Sequence, residues 1–541
     1  MPRIEDDPGP RAPWSLIIFG AMTTVFTVVW LLQLWRPMAL FADQALLEIA
    51  TRDSLHLQQA VGAHSRLGGF HPGPAYTYLL APLYWLTGET PRSLLLGTFL
   101  INAGFLFAAV ALVRVRLGEV SARWAVAVAG LYLVMLGPAN TWWLWNPNVL
   151  GPALILTILL VADCTHGRIW SLIWAAVTGS FLIQAHVVMA APVTALMVVA
   201  VVGYAVSARS ARSRREVSDG PPPGSSPGRG RITVAVLGAI VLVLIWLPPV
   251  VEQLRAGQAG NLSHLFSVAT GQLPPPADWV PSHSLRESLG AVLRMLPVTI
   301  TGQDNLPSSV VDLSDQPLPL VRLLASALLL AVAVVVAVLG FKLRRWFVAV
   351  TALGTLVCAV TAVLLETRTA GPLLQYAITW AVALPVPTLM VVTGLLPRRA
   401  TESRAVAAIG TFAAVVTCSM FAIVATVGAP ATANTQPITL LAELKQAQLA
   451  EPIELTAAPS VWPVRAAIVN LADKEGYRVL AAGEPPQFPS RLWGDGTGSQ
   501  LVALPTTGPE STPPTGARLV GQTASYSLWL LDSGNAQSAG Q

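Results

Sequence analysis

The sequence predicts an all-α protein that crosses a membrane many times, followed by a small α/β domain. Of its 541 residues, 53% are hydrophobic and only 11% are charged, whereas a soluble globular chain carries about 25% charged residues. So much apolar surface cannot be dissolved in water, which predicts a polytopic membrane protein. We divide the chain into a transmembrane domain, residues 1–427, and a tail domain, residues 428–541.

The transmembrane domain contains long apolar runs. A spanning helix needs about 20 mostly apolar residues, and roughly eleven runs satisfy that rule. They are Trp14–Trp35, Ser93–Val113, Trp124–Leu144, Val149–Asp163, Ile169–Ala185, Val187–Val206, Ile232–Val251, Leu320–Phe341, Trp346–Leu365, Leu373–Leu395 and Ala405–Val427. The first run is too long for the core of a signal peptide and has no clear cleavage site, so we interpret it as a retained span.

Basic residues flank these runs in short clusters. Loops rich in Arg and Lys stay in the cytoplasm, and four clusters share one side if the first span starts inside. These are Arg114, Arg116 and Arg123; Arg209, Arg212, Arg214, Arg215, Arg229 and Arg231; Lys342, Arg344 and Arg345; and Arg398, Arg399 and Arg404. The pattern predicts a plasma-membrane protein with a cytoplasmic N-terminus and an outer tail domain. It also explains the basic composition without a nucleic-acid partner.

The loops differ in composition. We predict outer loops at 36–92 and 252–319, and a cytoplasmic linker at 207–231 whose Pro-, Gly- and Ser-rich part is disordered. Within the first outer loop, the apolar stretch His71–Gly88 would move Arg114 and Arg116 outside if it crossed the membrane. We therefore expect a juxtamembrane helix that lies on the outer surface, with Pro72 in its first turn.

The tail domain alternates helical and strand patterns. Helices are predicted in "ITLLAELKQAQL" and "VRAAIVNLADKEG", and strands in "PIELTA", "YRVLAA" and "YSLWLLD". We find no Gly-rich phosphate loop and no metal-ligand spacing in this part of the sequence. The tail is thus predicted to be a small α/β domain without a recognisable catalytic motif.

Asp43 is the first acid after the first span, and it opens the helical stretch "DQALLEIATRDSL". An acid close to lipid is costly, and acids in such positions are usually functional. One interpretation is a helix N-cap, since Asp accepts backbone N–H bonds at helix starts. The other is a general base that takes a proton from an acceptor hydroxyl. Glu48, five residues later, falls on another face of the helix.

Two local motifs, "FADQALLE" and "GGFHPGPAYTYLLAP", together with the order of the spans, resemble the GT-C glycosyltransferases. That superfamily includes protein O-mannosyltransferases, lipid A aminoarabinose transferases and many actinobacterial cell-envelope enzymes. The resemblance covers roughly Trp14 to Val427. It implies about 11 transmembrane helices with outer juxtamembrane helices, a polyprenyl-phosphate sugar as donor, and a catalytic acid in the first outer loop, here Asp43.

The chain departs from many relatives in one respect. They carry paired acids, Asp-Glu, where this chain has Asp43 followed by Gln44. A paired acid would orient the base or bind a metal, so we expect no cofactor, although the sequence does not exclude a divalent metal. The low Lys and high Ala, Val, Gly, Pro and Arg content is typical of a GC-rich genome, such as that of an actinobacterium.

Other polar residues at the predicted outer surface are candidates for the substrate cavity. They are Glu48, His71, Tyr76, Asn146, Asn148, Gln184, His186 and Tyr376. Helix caps, turns and an interfacial aromatic belt are the competing explanations for most of them. Arg368, and secondly Arg66, are candidates to bind the donor phosphate, unless Arg368 only pairs with Glu366.

The sequence therefore predicts a glycosyltransferase that moves a sugar from a polyprenyl-phosphate donor to a cell-wall glycan or glycolipid on the outer face of the membrane. Direct displacement would invert the anomeric centre, by analogy with glycoside chemistry. The alternative is a non-catalytic lipid carrier, transporter or envelope-assembly scaffold with the same fold. The spans are almost free of acids, which favours chemistry at the outer surface over transport.

Overall fold

The computed structural model describes residues 12–66, 68–137, 139–217, 229–303, 310–401, 403–427, 434–483, 488–494 and 496–531. Over these residues, a helical transmembrane domain is followed by a tail domain built on one sheet. The predicted fold class is confirmed. The last span ends at Val427, and the first described residue of the tail domain is Asn434.

Within the described residues, ten helices are long and apolar enough to cross a membrane. They are Trp14–Leu31, Pro91–Leu117, Glu119–Leu136, Asn146–His166, Val187–Ser210, Ile232–Ala259, Leu320–Lys342, Trp346–Glu366, Gln375–Leu395 and Arg404–Thr426, with the shorter apolar helix Ile169–Ala185 between the fourth and fifth. Each predicted run corresponds to one of these eleven segments. The third ends eight residues before its predicted end, at Leu136, because Gly137 follows with φ 82° and stops the helix.

Hydrogen bonds join several predicted cytoplasmic segments at one end of the bundle. Glu119 accepts from the Ser15 backbone N–H at 2.7 Å and from Arg114 Nε at 2.8 Å. Arg123 donates to Thr411 Oγ1 at 3.0 Å, which brings the start of the last span to the same place. The N-terminal end of the first span thus lies beside the first basic cluster and near the start of the last span.

The predicted linker requires a correction. Residues 207–217 continue the helix Ala190–Val217, and residues 229–231 begin the helix Arg229–Ala256. The Ala and Arg residues of 207–217 have high helix propensity, which explains why the helix extends past the membrane span. The Pro- and Gly-rich part, 218–228, lies outside the described residues.

The loop predicted to be the first outer one, residues 36–92, contains a helix that we call the loop helix, Asp43–Leu55, and a short antiparallel hairpin of β1, His64–Ser65, and β2, Gly69–Phe70. A second helix, Ala75–Leu86, follows the hairpin. Its exposed residues include Leu79, Trp85 and Leu86, as expected of a helix at the membrane surface. It begins four residues later than predicted, so Pro72 lies in the preceding turn and not in the first helical turn.

The tail domain has a five-stranded sheet in the order β4-β3-β5-β7-β6. The strands are β3 Ile453–Ala457, β4 Val479–Ala481, β5 Ser499–Pro505, β6 Arg518–Gln522 and β7 Tyr526–Leu530. The helices are Gln436–Gln446 and Trp462–Lys474, which we call the tail helix. The sequence predicted both helices and three of these strands, but not β5 or β6.

Four alternating charges, which we call the charge row, hold the tail domain against the loop helix. Arg52 donates to Asp473 at 2.7 Å, and Arg491 donates to Asp473 at 2.5 Å and to Asp53 at 2.7 Å. The side chains of Arg52, Asp53 and Asp473 are only 11%, 10% and 14% exposed. Breaking a buried pair leaves an uncompensated charge, so this interface depends on all its members.

Removing Asp473 should therefore loosen the tail domain from the loop helix. Burial opposes ionisation of Asp473, but hydrogen bonds from Arg491 and Arg52 outweigh it and hold its pKa below the ordinary 3.8. A depressed pKa stabilises docking above pH 3.8, and this contribution is lost only as the pH falls below that value. At neutral pH, Asp473→Ala should lower the free energy of opening by up to about 3–5 kcal/mol. Hydrogen exchange of the loop-helix amides in the full-length protein measures this.

The matched control is Glu475→Ala. Glu475 pairs with Lys445 through side chains that are 50% and 37% exposed. Such a surface pair contributes about 0–1 kcal/mol. Equal exchange rates in Asp473→Ala and Glu475→Ala would show that the charge row does not hold the two domains together.

Candidate active site

A polar cavity of about 470 Å³ lies beside the first outer loop. Its walls come from the loop helix, the segment that leads into the hairpin, the hairpin itself and the helix Asn261–Ala269. The tail domain contributes Pro489. Asp43 stands in the wall, so the predicted base borders a space that a ligand can enter.

Asp43 is the first residue of the loop helix but does not cap it. The N-cap position belongs to Ala42, and no side-chain hydrogen bond caps this helix. Asp43 Oδ2 instead accepts a hydrogen bond of 2.9 Å from Trp145 Nε1. The cap interpretation is therefore wrong, and the carboxylate is held in place by the indole.

The backbone before Asp43 adopts an unusual conformation. Ala42 has φ 49° and ψ −133°, a region that residues with a Cβ rarely enter. Its N–H donates to Pro463 O, in the tail helix, at 3.4 Å. Strain of this kind persists only where the surrounding structure enforces it, and it clusters at functional sites.

The environment of Asp43 makes it a stronger base than an exposed aspartate. Burial raises its pKa above the ordinary 3.8, and the hydrogen bond from Trp145 offsets part of that rise. Trp145 packs in turn against Tyr376, with the ring centroids 4.8 Å apart. Tyr376, a predicted site residue, is thus linked to the Asp43 carboxylate through Trp145.

Arg66 lies in the turn of the hairpin and reaches the outer turn after the helix Trp346–Glu366. Its Nη1 donates to Pro372 O at 2.7 Å and its Nη2 to Ala370 O at 3.5 Å. The guanidinium also lies 5.4 Å from the centroid of the Trp279 ring. A guanidinium has five N–H donors, so these two bonds do not exhaust it.

Arg368 stands in the same outer turn. Its side chain is exposed, and it forms no ion pair with Glu366 or with any other residue of the described ranges. Pairing with Glu366, the competing explanation for Arg368, is therefore absent. The turn thus contains one cation, Arg368, and is contacted by a second, Arg66, which is the less exposed of the two.

No protein-family profile matches the chain, and neither does any curated protein. Among solved structures, the fold resembles crystal structures of ArnT from Cupriavidus metallidurans, bound to undecaprenyl phosphate and in the apo state. Each has 12% sequence identity and a TM-score of 0.55, over 95% of this chain and 97% of ArnT. The chain has the GT-C fold. The Archaeoglobus fulgidus oligosaccharyltransferase, tethered with an acceptor peptide, also matches, with 12% identity and a TM-score of 0.39 over 85% of this chain and 63% of that one.

Three predicted cavity residues, His71, Gln184 and His186, are instead buried in contacts between helices and loops. His71 Nδ1 accepts from the Val187 backbone N–H at 3.3 Å, and its ring lies 4.2 Å from that of His186. Gln184 donates to Ile245 O at 2.7 Å. Burial, followed by the charge of Arg66, lowers the pKa of His186 to about 4. The structure places all three outside the cavity wall.

Three more predicted residues also lie away from the cavity. The Tyr76 hydroxyl bonds Thr98 Oγ1 at 2.6 Å. Asn146 and Asn148 donate to main-chain carbonyls at 2.8 Å and 3.3 Å. These side chains satisfy buried polar groups between helices. For the two asparagines, a structural role in a turn therefore describes the structure better than a role in the cavity.

Glu48 belongs to the interface with the tail domain and not to the cavity. Its carboxylate accepts from Tyr84 Oη at 2.7 Å and from Asn470 Nδ2 at 2.6 Å, and Lys474 Nζ lies 3.5 Å away. It is buried, and it does not border the cavity. The prediction that Asp43 and Glu48 point away from each other agrees with this placement.

Sequence reasoning missed most of the cavity wall. The unpredicted lining residues with polar or aromatic side chains are Asp53, Gln58, Gln59, His64, Phe70, Glu252, Asn261 and His264. The glycine pair Gly68–Gly69 was a usable signal, because glycines often let the backbone approach a ligand. Trp145 could not be found from local sequence, because its contact with Asp43 joins residues 102 positions apart. No group of three or more potential metal ligands occurs in the described part of the chain.

The indole of Trp145 should set the titration of Asp43. The hydrogen bond stabilises the carboxylate, so Trp145→Phe should raise the pKa of Asp43 further, and protonation should begin at a higher pH than in the parent. Infrared difference spectra against Asp43→Asn isolate this one carboxylate. Trp143→Phe is the control, because Trp143 is 42% exposed and forms no hydrogen bond with Asp43. Identical titrations in both variants would contradict the proposed electrostatic role.

Proposed function

We propose that the protein is an integral membrane glycosyltransferase that moves a sugar from a polyprenyl-phosphate donor to a hydroxyl of a cell-envelope acceptor. One observation carries the proposal. Asp43, a half-buried carboxylate, borders a polar cavity, and its partner Trp145 packs against Tyr376, just after the turn that contains Arg368 and is contacted by Arg66. In this proposal the base borders the space for an acceptor, and the contacts of Trp145 and Tyr376 link it to the region where we place the phosphate.

In the proposed reaction, Asp43 takes the proton of the acceptor hydroxyl as its oxygen attacks the anomeric carbon. The bond from the anomeric carbon to the phosphate oxygen breaks, and the polyprenyl phosphate leaves with the electron pair. A guanidinium at the phosphate stabilises the charge that develops there. Attack opposite the leaving group inverts the anomeric centre.

The class of donor is supported by the fold neighbour. ArnT from Cupriavidus metallidurans was crystallised with undecaprenyl phosphate, and this chain shares its fold over nearly its full length. A polyprenyl phosphate carrier is therefore the class of donor that we propose for this chain. The acceptor in this proposal is a cell-wall glycan or a glycolipid.

The proposal places the site outside the cytoplasm. The first basic cluster and the start of the last span meet at the end of the bundle that holds Ser15. Asp43 follows the other end of the first span, and the tail domain contacts the loop helix that Asp43 begins. If basic loops are cytoplasmic, the N-terminus is inside, and both Asp43 and the tail domain are outside.

The central test is Asp43→Asn. Asparagine keeps the size and still accepts the Trp145 hydrogen bond, but it cannot take a proton. We expect the transfer rate to fall by about 10²- to 10⁴-fold, the usual contribution of a general base, with donor binding retained. The assay is transfer from a radiolabelled polyprenyl-phosphate sugar in membranes that contain each variant.

Asp278→Asn is the control, because it makes the same chemical change at an exposed acid outside the cavity. It should transfer like the parent. Parent-like transfer by Asp43→Asn would remove Asp43 from the reaction. A parent protein that binds donor but transfers no sugar would favour the non-catalytic alternative, a lipid carrier or scaffold.

The second test concerns the phosphate. If Arg66 binds it, Arg66→Ala should weaken donor binding by about 1.5–3 kcal/mol, as for other charge-assisted bonds. Arg66→Lys should restore only part, since lysine lacks the planar fork. Binding of polyprenyl phosphate to the purified variants measures this. If Arg368→Ala weakens donor binding and Arg66→Ala does not, then Arg368 and not Arg66 binds the phosphate.

A further inference from the structure

The hairpin of the first outer loop has two chemically different sides. On one side, Arg66 reaches toward Pro372 and Trp279. On the other, His64 and Phe70 line the cavity. Asp43 borders the cavity and contacts Trp145, which packs against Tyr376. The basic side suits the donor phosphate, and the cavity side is left for the second substrate.

The cavity wall is acidic. It contains Asp43, Asp53 and Glu252, and none of the described residues that line it is a lysine or an arginine. Asp53 is neutralised by Arg491 at 2.7 Å. Glu252 has no such cation among the described residues, within which its two oxygens accept from the Asn261 backbone N–H, each at 3.2 Å. Two carboxylates therefore remain uncompensated, and an anionic ligand would be repelled by both.

The uncharged part of the wall suits hydroxyl groups. Imidazole and amide side chains, here His64, His264, Gln58 and Gln59, supply both donors and acceptors, and a sugar hydroxyl needs both. The Phe70 ring adds one apolar surface. The volume, about 470 Å³, lies within the ~300–1,000 Å³ of small-ligand sites. A short piece of a glycan fits that size.

We infer that this cavity binds the acceptor, and that the acceptor is an uncharged, hydroxyl-rich carbohydrate and not a phosphorylated one. The inference rests on the proposed function and specifies its second substrate. A cationic amino sugar is also disfavoured. An ammonium beside Asp43 would stabilise the carboxylate and so weaken it as the base that must take the proton.

Protection of an engineered thiol tests the inference without any transfer. Ala60 lines the cavity, and the natural cysteines, Cys164, Cys358 and Cys418, are all buried. Ala60→Cys in the full-length protein is labelled with a maleimide in the presence of competing sugars. These are methyl glycosides of glucose, mannose, galactose and arabinose, the hexose 6-phosphates, and glucosamine. Thr512→Cys, at an exposed position of the tail domain outside the cavity, is the control.

At least one neutral glycoside should slow the labelling of Ala60→Cys, by about twofold at a concentration equal to its Kd. The sugar phosphates should not, and labelling of Thr512→Cys should not respond to any sugar. In Ala60→Cys with Glu252→Gln, the glutamine keeps the acceptor for Asn261 but loses the charge, so the sugar phosphates should gain protection.

Equal or better protection by a sugar phosphate in the parent background would overturn the charge assignment. Protection by glucosamine alone would indicate a cationic acceptor and would overturn the inference that the acceptor is uncharged. No protection by any sugar up to its solubility would remove the acceptor from this cavity. None of these outcomes depends on transfer, so a failure of Asp43→Asn to affect the rate remains a separate result.

Discussion

The charge row between the loop helix and the tail domain is the interaction on which the site depends. Arg52, Asp53, Asp473 and Arg491 alternate in sign across two segments more than 400 residues apart in sequence. Buried ion pairs contribute little net stability, but they specify one arrangement because any misplacement leaves a charge unpaired. The loop helix begins at Asp43, and the N–H of the preceding residue is bound to the tail helix. The tail domain thereby fixes where the helix starts and where its first carboxylate points.

Membrane location explains why the chemistry gathers at one surface. Within lipid, backbone groups must pair inside each helix, so irregular backbone of the kind seen at Ala42 occurs outside the spans. The outer loops can hold polar groups in a partly dry setting, where electrostatic effects are larger than in water. Burial raises the pKa of Asp43 there, and Arg66, in the turn of the same hairpin, bonds the turn at Pro372 and does not line the acidic cavity. The proposed donor and acceptor sites are therefore built from different residues of one short hairpin.

The sequence predicts what local physics controls. About 20 apolar residues make a span wherever they occur, and the acid after the first span stood out because acids near lipid are rare. Local sequence does not predict the partners of polar loop residues, because those partners lie far away along the chain. In sequence, His71, Gln184 and Glu48 have the features of site residues. In the structure, His71 packs against His186, Gln184 donates to the Ile245 carbonyl, and Glu48 accepts from Asn470. Likewise, Glu252 and His264 reach the cavity only because Asn261 bonds the main chain of the hairpin. Strands β5 and β6 lie among Gly-, Thr- and Pro-rich turns that hide their short patterns.

The departure from the paired acids of GT-C relatives has a physical counterpart in the structure. An acid at the position of Gln44 would place a second negative charge beside Asp43, and like charges raise the pKa of a carboxyl further. Gln44 is buried and uncharged. The orienting hydrogen bond comes instead from Trp145, a donor that holds the carboxylate and favours its ionised form. A neutral donor can thus perform the orienting part of a second acid's role, and it leaves Asp43 ionised over a wider range of pH than an acidic neighbour would.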